Sequence, residues 1–425
     1  MARILLSAYA CEPNRGSEPA VGWNWAVELA RLNHRVWVLT RAANRDAIER
    51  QSHRDLNFIY YDLPRWMQLW REHFAGKRLY YVLWQWGAVR HIRNRFPDLP
   101  FDVVHHVTYV SIRYPSFLGS LGIPFYFGPV SGAERIPPKL RAGLSIGERW
   151  RGWLRDVSNR LVALDPLLWC VFRRAEKIMV TPDTVSLVPQ RWRHKCDVHL
   201  AIGLSGEYLD RPTVRKRCRG RRFRLLFVGR LLESKGIDIA LRVVRQLREW
   251  GLDVSLTIVG DGPARTNLIC VADTLQISDA VEWTGSVSPA SVEDYYRAAD
   301  LFLFPSLRDS GGMAVLEALA HGLPVVCAGL GGPGAIVNWR CGRVVPALEA
   351  GREELAAGFA CAASEILTTP GLHKWLSAGA KARAQDFNFQ ELVNSVYPSS
   401  RRPAVPEKYV YPLHLGELVS HDAVH

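Results

Sequence analysis

The stretch from Asp300 to Ala335, DLFLFPSLRDSGGMAVLEALAHGLPVVCAGLGGPGA, leaves a chain few ways to fold. It reads as a short buried strand over 301–304, a loop from Pro305, and a Gly-Gly pair opening an apolar helix over 313–320. A stop at Gly322 and a second buried strand over 325–328 follow. Strand, glycine loop, helix and strand in that order make a βαβ unit. Because parallel strands need a crossover between them, the chain is read as α/β.

The loop also has a chemistry. Glycines let the backbone approach a ligand, and free N–H groups at a helix start favour an anion, so Ser310, Gly311, Gly312 and Met313 are candidate phosphate contacts. Two carboxylates bracket them, Asp309 before the glycines and Glu317 on the helix, with seven residues between. Carboxylates repel a diphosphate but accept hydrogen bonds from ribose and sugar hydroxyls, so the combination points to a sugar nucleotide.

Further motifs precede this stretch in order: Phe227-Val228-Gly229-Arg230 with Lys235-Gly236, then Gly260-Asp261-Gly262-Pro263, then Val281 to Gly285 around Trp283. Together they resemble the retaining glycosyltransferases of family four (glycosyl transferases group 1), strongly over residues 223–336 and weakly elsewhere. The resemblance implies the GT-B fold, two Rossmann-like doubly wound domains facing a central cleft. Residues 1–205 would bind the acceptor, 206–384 the nucleotide sugar, and 385–425 would carry a helix crossing back to the first domain plus a tail.

The same resemblance assigns roles. Arg230 and Lys235 would hold the donor diphosphate, Glu317 the ribose, and Asp309 the transferred sugar. Gly229, Gly262 and Trp283 fall in donor-site motifs. Gly16, with Ser17 and Glu18, lies in the loop expected to face the phosphates and acceptor. His105 and His106 end a strand, FDVVHHV, where the family places a His near the reactive sugar in an H-x-H arrangement. Here Val107 takes the second position, and both histidines remain candidates. Asp309 stands where Glu is usual and is one methylene shorter, and Ala335 replaces a further Glu. Retention of configuration is implied, with the leaving phosphate accepting the acceptor's proton. No D-x-D occurs, so no metal is expected, and no cofactor beyond the nucleotide-sugar donor.

The 425 residues suit two domains of roughly 200. The opening MARILLSAYAC has an apolar run too short for a signal peptide and reads as a first strand. Eight scattered cysteines without a C-x-x-C pair read as reduced thiols of a cytosolic protein. Residues 1–200 hold 29 Lys and Arg against 17 Asp and Glu, +12 of the chain's +13, and 11 of its 15 Trp. Residues 63–96 interleave Trp66, Trp70, Trp84 and Trp86 with Arg65, Arg71, Lys77 and Arg78, a composition for an anionic membrane surface or for an ordinary core helix. Residues 133–170 form a second basic, Trp-bearing helical excursion, with Arg149, Trp150, Arg151, Trp153 and Arg155. The run 215–224 reads as a solvated linker. No nucleic-acid motif is present.

The function expected is therefore transfer of a sugar from a nucleotide to a lipid-linked or glycan acceptor, in the cytoplasm or peripherally on the inner face of the membrane. The alternatives are a sugar-nucleotide epimerase of similar fold and a catalytically silent sugar-nucleotide-binding protein.

Overall fold

The computed structural model describes residues 1–397 apart from 14–17, 52–54, 69–73, 201 and 212–221. Its strands form two sheets. In the first, β1 (Arg3–Ala8), β2 (Arg35–Thr40), β3 (Leu56–Tyr60), β4 (Val103–Thr108), β5 (Phe125–Val130), β6 (Lys177–Val180) and β7 (Cys196–Val198) run in the order 3-2-1-4-5-6-7. In the second, β8 (Phe223–Val228), β9 (Val254–Val259), β10 (Val281–Gly285), β11 (Leu301–Phe304), β12 (Val325–Ala328) and β13 (Gly342–Val345) run in the order 10-9-8-11-12-13. Every pairing between these strands is parallel. Helices cover both faces of such sheets, so the central strands β5, β11 and β12 are buried along their whole length.

Strand order reverses between β1 and β4 and again between β8 and β11, and ligands of open α/β sheets bind at the carboxyl ends beside such reversals. The α/β reading with two doubly wound sheets therefore holds, while local readings shift. The sequence reads as an amphipathic helix over 22–32, but the helix starts at Glu18, because Pro19 fits a first turn and the Glu18 carboxylate accepts the Val110 N–H at 2.9 Å. The sequence reads as helical from Glu354 to about Ala384, and the structure divides this run into two helices, Arg352–Thr368 and Leu372–Gln385, where Gly371 takes φ +79°. Strands β3, β7 and β13 are five residues or fewer and escaped notice in the sequence.

The lobes are joined by two strands of chain lying side by side. Leu204 donates to the Phe387 carbonyl at 3.0 Å and accepts from the Phe389 N–H at 2.9 Å. The helix Phe389–Val396 then packs on Glu18–Arg31, burying Phe389, Leu392, Val393, Val396 and Tyr397 in the first lobe's core. Tyr397 reaches a residue singled out for chemistry. Its hydroxyl lies 2.5 Å from His105 Nδ1, and His105 Nε2–H donates to the Gly128 carbonyl at 2.6 Å.

Neither histidine reaches the cleft. His106 is held between Tyr81, whose hydroxyl is 3.2 Å from Nε2, and Ser7, 3.4 Å from Nδ1, and it stacks on Phe127. Both rings are fully buried, and burial lowers both pKa values to about 3. The reason is positional: both side chains of a central strand point into cores when helices cover both faces.

The sign of the resulting pH dependence follows. The unfolded chain binds a proton at each imidazole near pH 6.5 and the folded one only near pH 3, so stability is complete above 6.5 and falls as pH drops. Between pH 7 and pH 5 we expect about 2 kcal/mol lost per imidazole. Thermal unfolding at the two pH values measures this, and a His106→Gln variant should show a visibly smaller difference. An unchanged difference would mean that His106 is protonated in the folded protein.

Candidate functional site

At the carboxyl edge of the second sheet four loops lie against one another with almost no side chains between them. A Cβ on Gly260 would stand 2.1 Å from the Gly229 carbonyl oxygen, and one on Gly262 2.4 Å from that of Leu231. Gly236, at φ +64°, would meet the Pro305 carbonyl at 2.2 Å, and Gly332 would meet that of Gly311 at 2.4 Å. These contacts are closed to any residue with a side chain. They bring the loops after β8, β9, β11 and β12 to one place beside the strand reversal.

Lys235 and Asp309 meet there. Lys235 Nζ lies 2.5 Å from Asp309 Oδ2 and 5.4 Å from the centre of the Phe304 ring. Asp309 Oδ1 accepts the N–H groups of Gly311 at 3.1 Å and Gly312 at 3.0 Å, and its carbonyl accepts from Gly332 at 2.9 Å. Two of the amides expected to await a phosphate are thus occupied by the carboxylate next to them, as in an Asx turn. The following amides, Met313 and Ala314, start the helix Met313–Ala320 without an acceptor among the described residues. Ser310 packs its carbonyl against Gly332. Arg230 is exposed, and its side chain has no partner among the described residues. Trp283 lies apart, on the edge strand β10, two strands from β8, where it packs on the core. Gly16 and Ser17 lie outside the described residues.

Glu317 sits in a polar cluster that the sequence did not reveal. Its Oε2 accepts the Tyr296 hydroxyl at 2.9 Å, while burial, with a lesser push from Glu293, raises its pKa to about 7. Arg297 holds Glu293 at 2.6 Å, and His321 Nδ1–H donates to the Glu317 carbonyl at 2.9 Å. Tyr208 closes the cluster, edge-on to His321 at 5.7 Å. These residues are more than a hundred positions apart at the extreme, and no motif links them.

The facing lobe adds a second unforeseen group. Arg308 reaches across to Glu148 at 3.3 Å, and the Ser145 N–H donates to Glu233 at 2.6 Å. Glu134, which accepts the Gly132 N–H at 3.0 Å and the Thr181 hydroxyl at 3.2 Å, lies against Gly331. Burial raises its pKa. Arg113 donates to Asn159 Oδ1 at 2.5 Å. Arg155 is pushed down to about 10 by burial and by the neighbouring Arg308 and Arg113. The cleft wall opposite the glycine loops thus sets Arg113 and Arg155 beside the carboxylates of Glu134 and Glu148, with Arg308 reaching in from the second lobe. Among the described residues no three His, Cys, Asp or Glu side chains converge as metal ligands.

Comparison with known proteins bears on the same region. Residues 214–357 match the family model described as Glycosyl transferases group 1. D-inositol 3-phosphate glycosyltransferase of Rhodococcus erythropolis is 34% identical over 188 residues, covering 42% of this chain and 41% of that protein. Alpha-monoglucosyldiacylglycerol synthase of Streptococcus pneumoniae is 30% identical over 173 residues, 41% of this chain and 38% of that protein. The chain thus aligns with about two fifths of the length of these relatives. Solved structures align over nearly the whole chain. Sucrose-phosphate synthase of Thermosynechococcus elongatus has TM-score 0.62 at 17% identity, covering 93% of this chain and 97% of its own. Anabaena HepE in complex with UDP-glucose has TM-score 0.60 at 15% identity, covering 93% and 98%. At these identities the structural likeness speaks for the fold alone. Taken with the sheet topology and the glycine-loop motifs, residues 214–357 are similar to the glycosyl transferases group 1 family, within a two-lobed GT-B fold.

Proposed function

We propose that this chain transfers a hexosyl group from a nucleoside-diphosphate sugar to a lipid-linked or glycan acceptor, with retention of anomeric configuration and without a metal. The observation carrying this reading is the meeting of Lys235, Asp309 and the Gly311–Gly312 amides beside the β8/β11 reversal, with Arg230 uncommitted next to it. HepE, of the same fold, is in complex with UDP-glucose, and two relatives are named for transfer to an inositol phosphate and for making a glycosyl diacylglycerol. No single helix among the described residues is long and apolar enough to cross a membrane.

The donor diphosphate displaces Asp309 from Lys235, so that the ammonium turns to phosphate oxygens and the carboxylate to hydroxyls of the transferred sugar. Arg230 supplies a second cation. Charge grows on the diphosphate as its bond to the anomeric carbon breaks, and fixed cations stabilise that state more than the bound ground state. The acceptor hydroxyl attaches to the anomeric carbon from the side the diphosphate leaves, giving its proton to a departing phosphate oxygen. Glu317 accepts the ribose hydroxyls, Glu134 with Arg155 borders the acceptor on the other wall, and Arg308 reaches across from the donor side.

Free nucleoside diphosphate released only when acceptor is present distinguishes transfer from epimerisation and from silent binding. In that assay Arg230→Ala and Lys235→Ala should each lower turnover on the order of a hundredfold while leaving the melting temperature within a few degrees. Near-normal turnover in both removes the diphosphate assignment. Transfer should also continue in excess EDTA, because side-chain cations stand where a metal would; complete loss that a divalent ion restores contradicts this.

Nucleotide affinity should depend on pH through Glu317. Its ionised form only accepts hydrogen bonds, which suits ribose hydroxyls, and burial has raised its pKa to about 7. Binding therefore strengthens as pH rises through 7, by up to about tenfold between pH 6 and pH 8. Titration calorimetry with UDP should show this slope in the wild type and a shallower one in Glu317→Gln, the residue of which belongs to the nucleotide's own phosphate.

A further inference from the structure

The helix Ile146–Leu161 is built inside out. At 100° per residue its apolar side chains Ile146, Trp150, Trp153, Leu154, Val157 and Leu161 fall in one stripe about 100° wide. In a soluble domain such a stripe faces the core. Here Ile146 is 77% exposed, Trp150 58%, Trp153 52% and Leu161 53%. The polar side faces the protein instead. Asn159 is buried and donates to the Gly132 carbonyl at 2.9 Å, Asp156 accepts from Arg141 at 2.8 Å, and Glu148 meets Arg308. The apolar surface continues past the helix through Leu164 and Leu167 to Trp169, all exposed. A groove of about 420 Å³ beside the helix is lined by Leu154, Val157, Leu161, Leu164 and Leu168.

Charge decides what covers this face. Arg149, Arg151 and Arg160 flank the stripe, all exposed, and Arg173 and Arg174 end the following helix. Arg191 lies over the rings of Trp169 at 4.1 Å and Trp192 at 3.9 Å. The carboxylates of the segment are each held by a cation: Glu148 by Arg308 and Arg151, Asp156 by Arg141, and Asp165 by Arg78 at 2.9 Å. What remains outward is an apolar, tryptophan-bearing strip about 24 Å long with arginines on its margins. A second protein would have to supply carboxylates at matched points. A bilayer rich in anionic lipid supplies phosphates everywhere around an apolar interior, with indole rings seated at headgroup depth.

We propose that the outward face of helix 146–161, continued through Trp169, docks this protein onto an anionic lipid bilayer. It deepens the reading above by naming where a membrane-held acceptor is met. The first lobe then lies on the membrane through the same helix whose inner side, at Glu148 and Arg155, borders the cleft.

The test is sedimentation of the full chain with vesicles of phosphatidylglycerol and phosphatidylcholine, and with pure phosphatidylcholine, at low and high salt. We expect binding to the mixed vesicles at least tenfold stronger than to the neutral ones, weakening with salt. Trp150→Ser combined with Trp153→Ser should lower it at least tenfold, as should Arg149→Glu with Arg151→Glu. Trp66→Ser with Trp86→Ser, exposed aromatics elsewhere on the lobe, should change it less than twofold. UDP affinity should be unaltered throughout, which separates failure of docking from failure of the donor site. Equal binding to both vesicle types, no binding to either, or full binding by the Trp150/Trp153 variant overturns the proposal. So does a solution dimer that this variant dissociates while the wild type ignores vesicles, since the face would then belong to a second copy of the chain.

Discussion

Backbone meets backbone wherever the loops of the second sheet converge, and that closeness holds the site together. A Cβ on Gly260, Gly262, Gly236 or Gly332 would lie within about 2.5 Å of the carbonyl oxygen of Gly229, Leu231, Pro305 or Gly311 respectively. A methyl group at one of them forces two loops apart, and each loop carries a group of the site. Arg230 and Lys235 follow β8, while Asp309 and the Gly311–Gly312 amides follow β11. The Lys235–Asp309 contact depends on the passage of Gly236 beneath Pro305, so the electrostatics of the site rest on a steric fact.

The first lobe is organised by a different constraint, the satisfaction of buried polar groups. His105 and His106 lie in a strand covered on both faces, where an unpaired imidazole would be costly, and each finds partners on other elements. For His105 that partner is Tyr397, from the far end of the described chain. The last helix is therefore fastened to the first lobe by a hydrogen bond inside the core as well as by its apolar side. Because Leu204 and Phe389 pair where the chain crosses between lobes, movement of one crossing segment carries the other with it.

How much of this was legible follows from how far each feature depends on distant residues. The glycine loops of the second lobe are short and local: strand, Gly and cation recur within about ten positions, and the structure puts Lys235 and Asp309 in contact. The Glu317 cluster was invisible because Tyr208, the helix Pro289–Ala298 that carries Glu293 and Tyr296, and Glu317 itself belong to three separate elements, and only their packing brings them together. The histidines read as cleft residues by their place at a strand end, yet the burial of both strand faces turns them inward. Gly16, Trp70 and Arg71 lie outside the described residues.

The tryptophans show the same limit most plainly. Periodicity reveals that a helix has an apolar stripe but not which way the stripe faces. In residues 63–96 Trp84 is fully buried, donating Nε1–H to the Tyr61 carbonyl at 2.9 Å, while Trp66 and Trp86 are exposed. Arg78 there is already paired with Asp165. Among the described residues, the helix Phe74–Arg95 turns Tyr80, Tyr81, Trp84 and Ile92 into the core. In residues 146–161 the direction is set by Asn159, Asp156 and Glu148, whose partners Gly132, Arg141 and Arg308 lie on other elements. Those polar contacts fix the helix by its hydrophilic side and leave no orientation in which the apolar stripe is covered. The exposed tryptophans are thus a consequence of how the helix is anchored, and the anchoring runs through Arg308, the neighbour of Asp309. A surface suited to lipid and the loops suited to a sugar nucleotide are thus joined through Arg308 to Glu148 and through Glu233 to the Ser145 N–H.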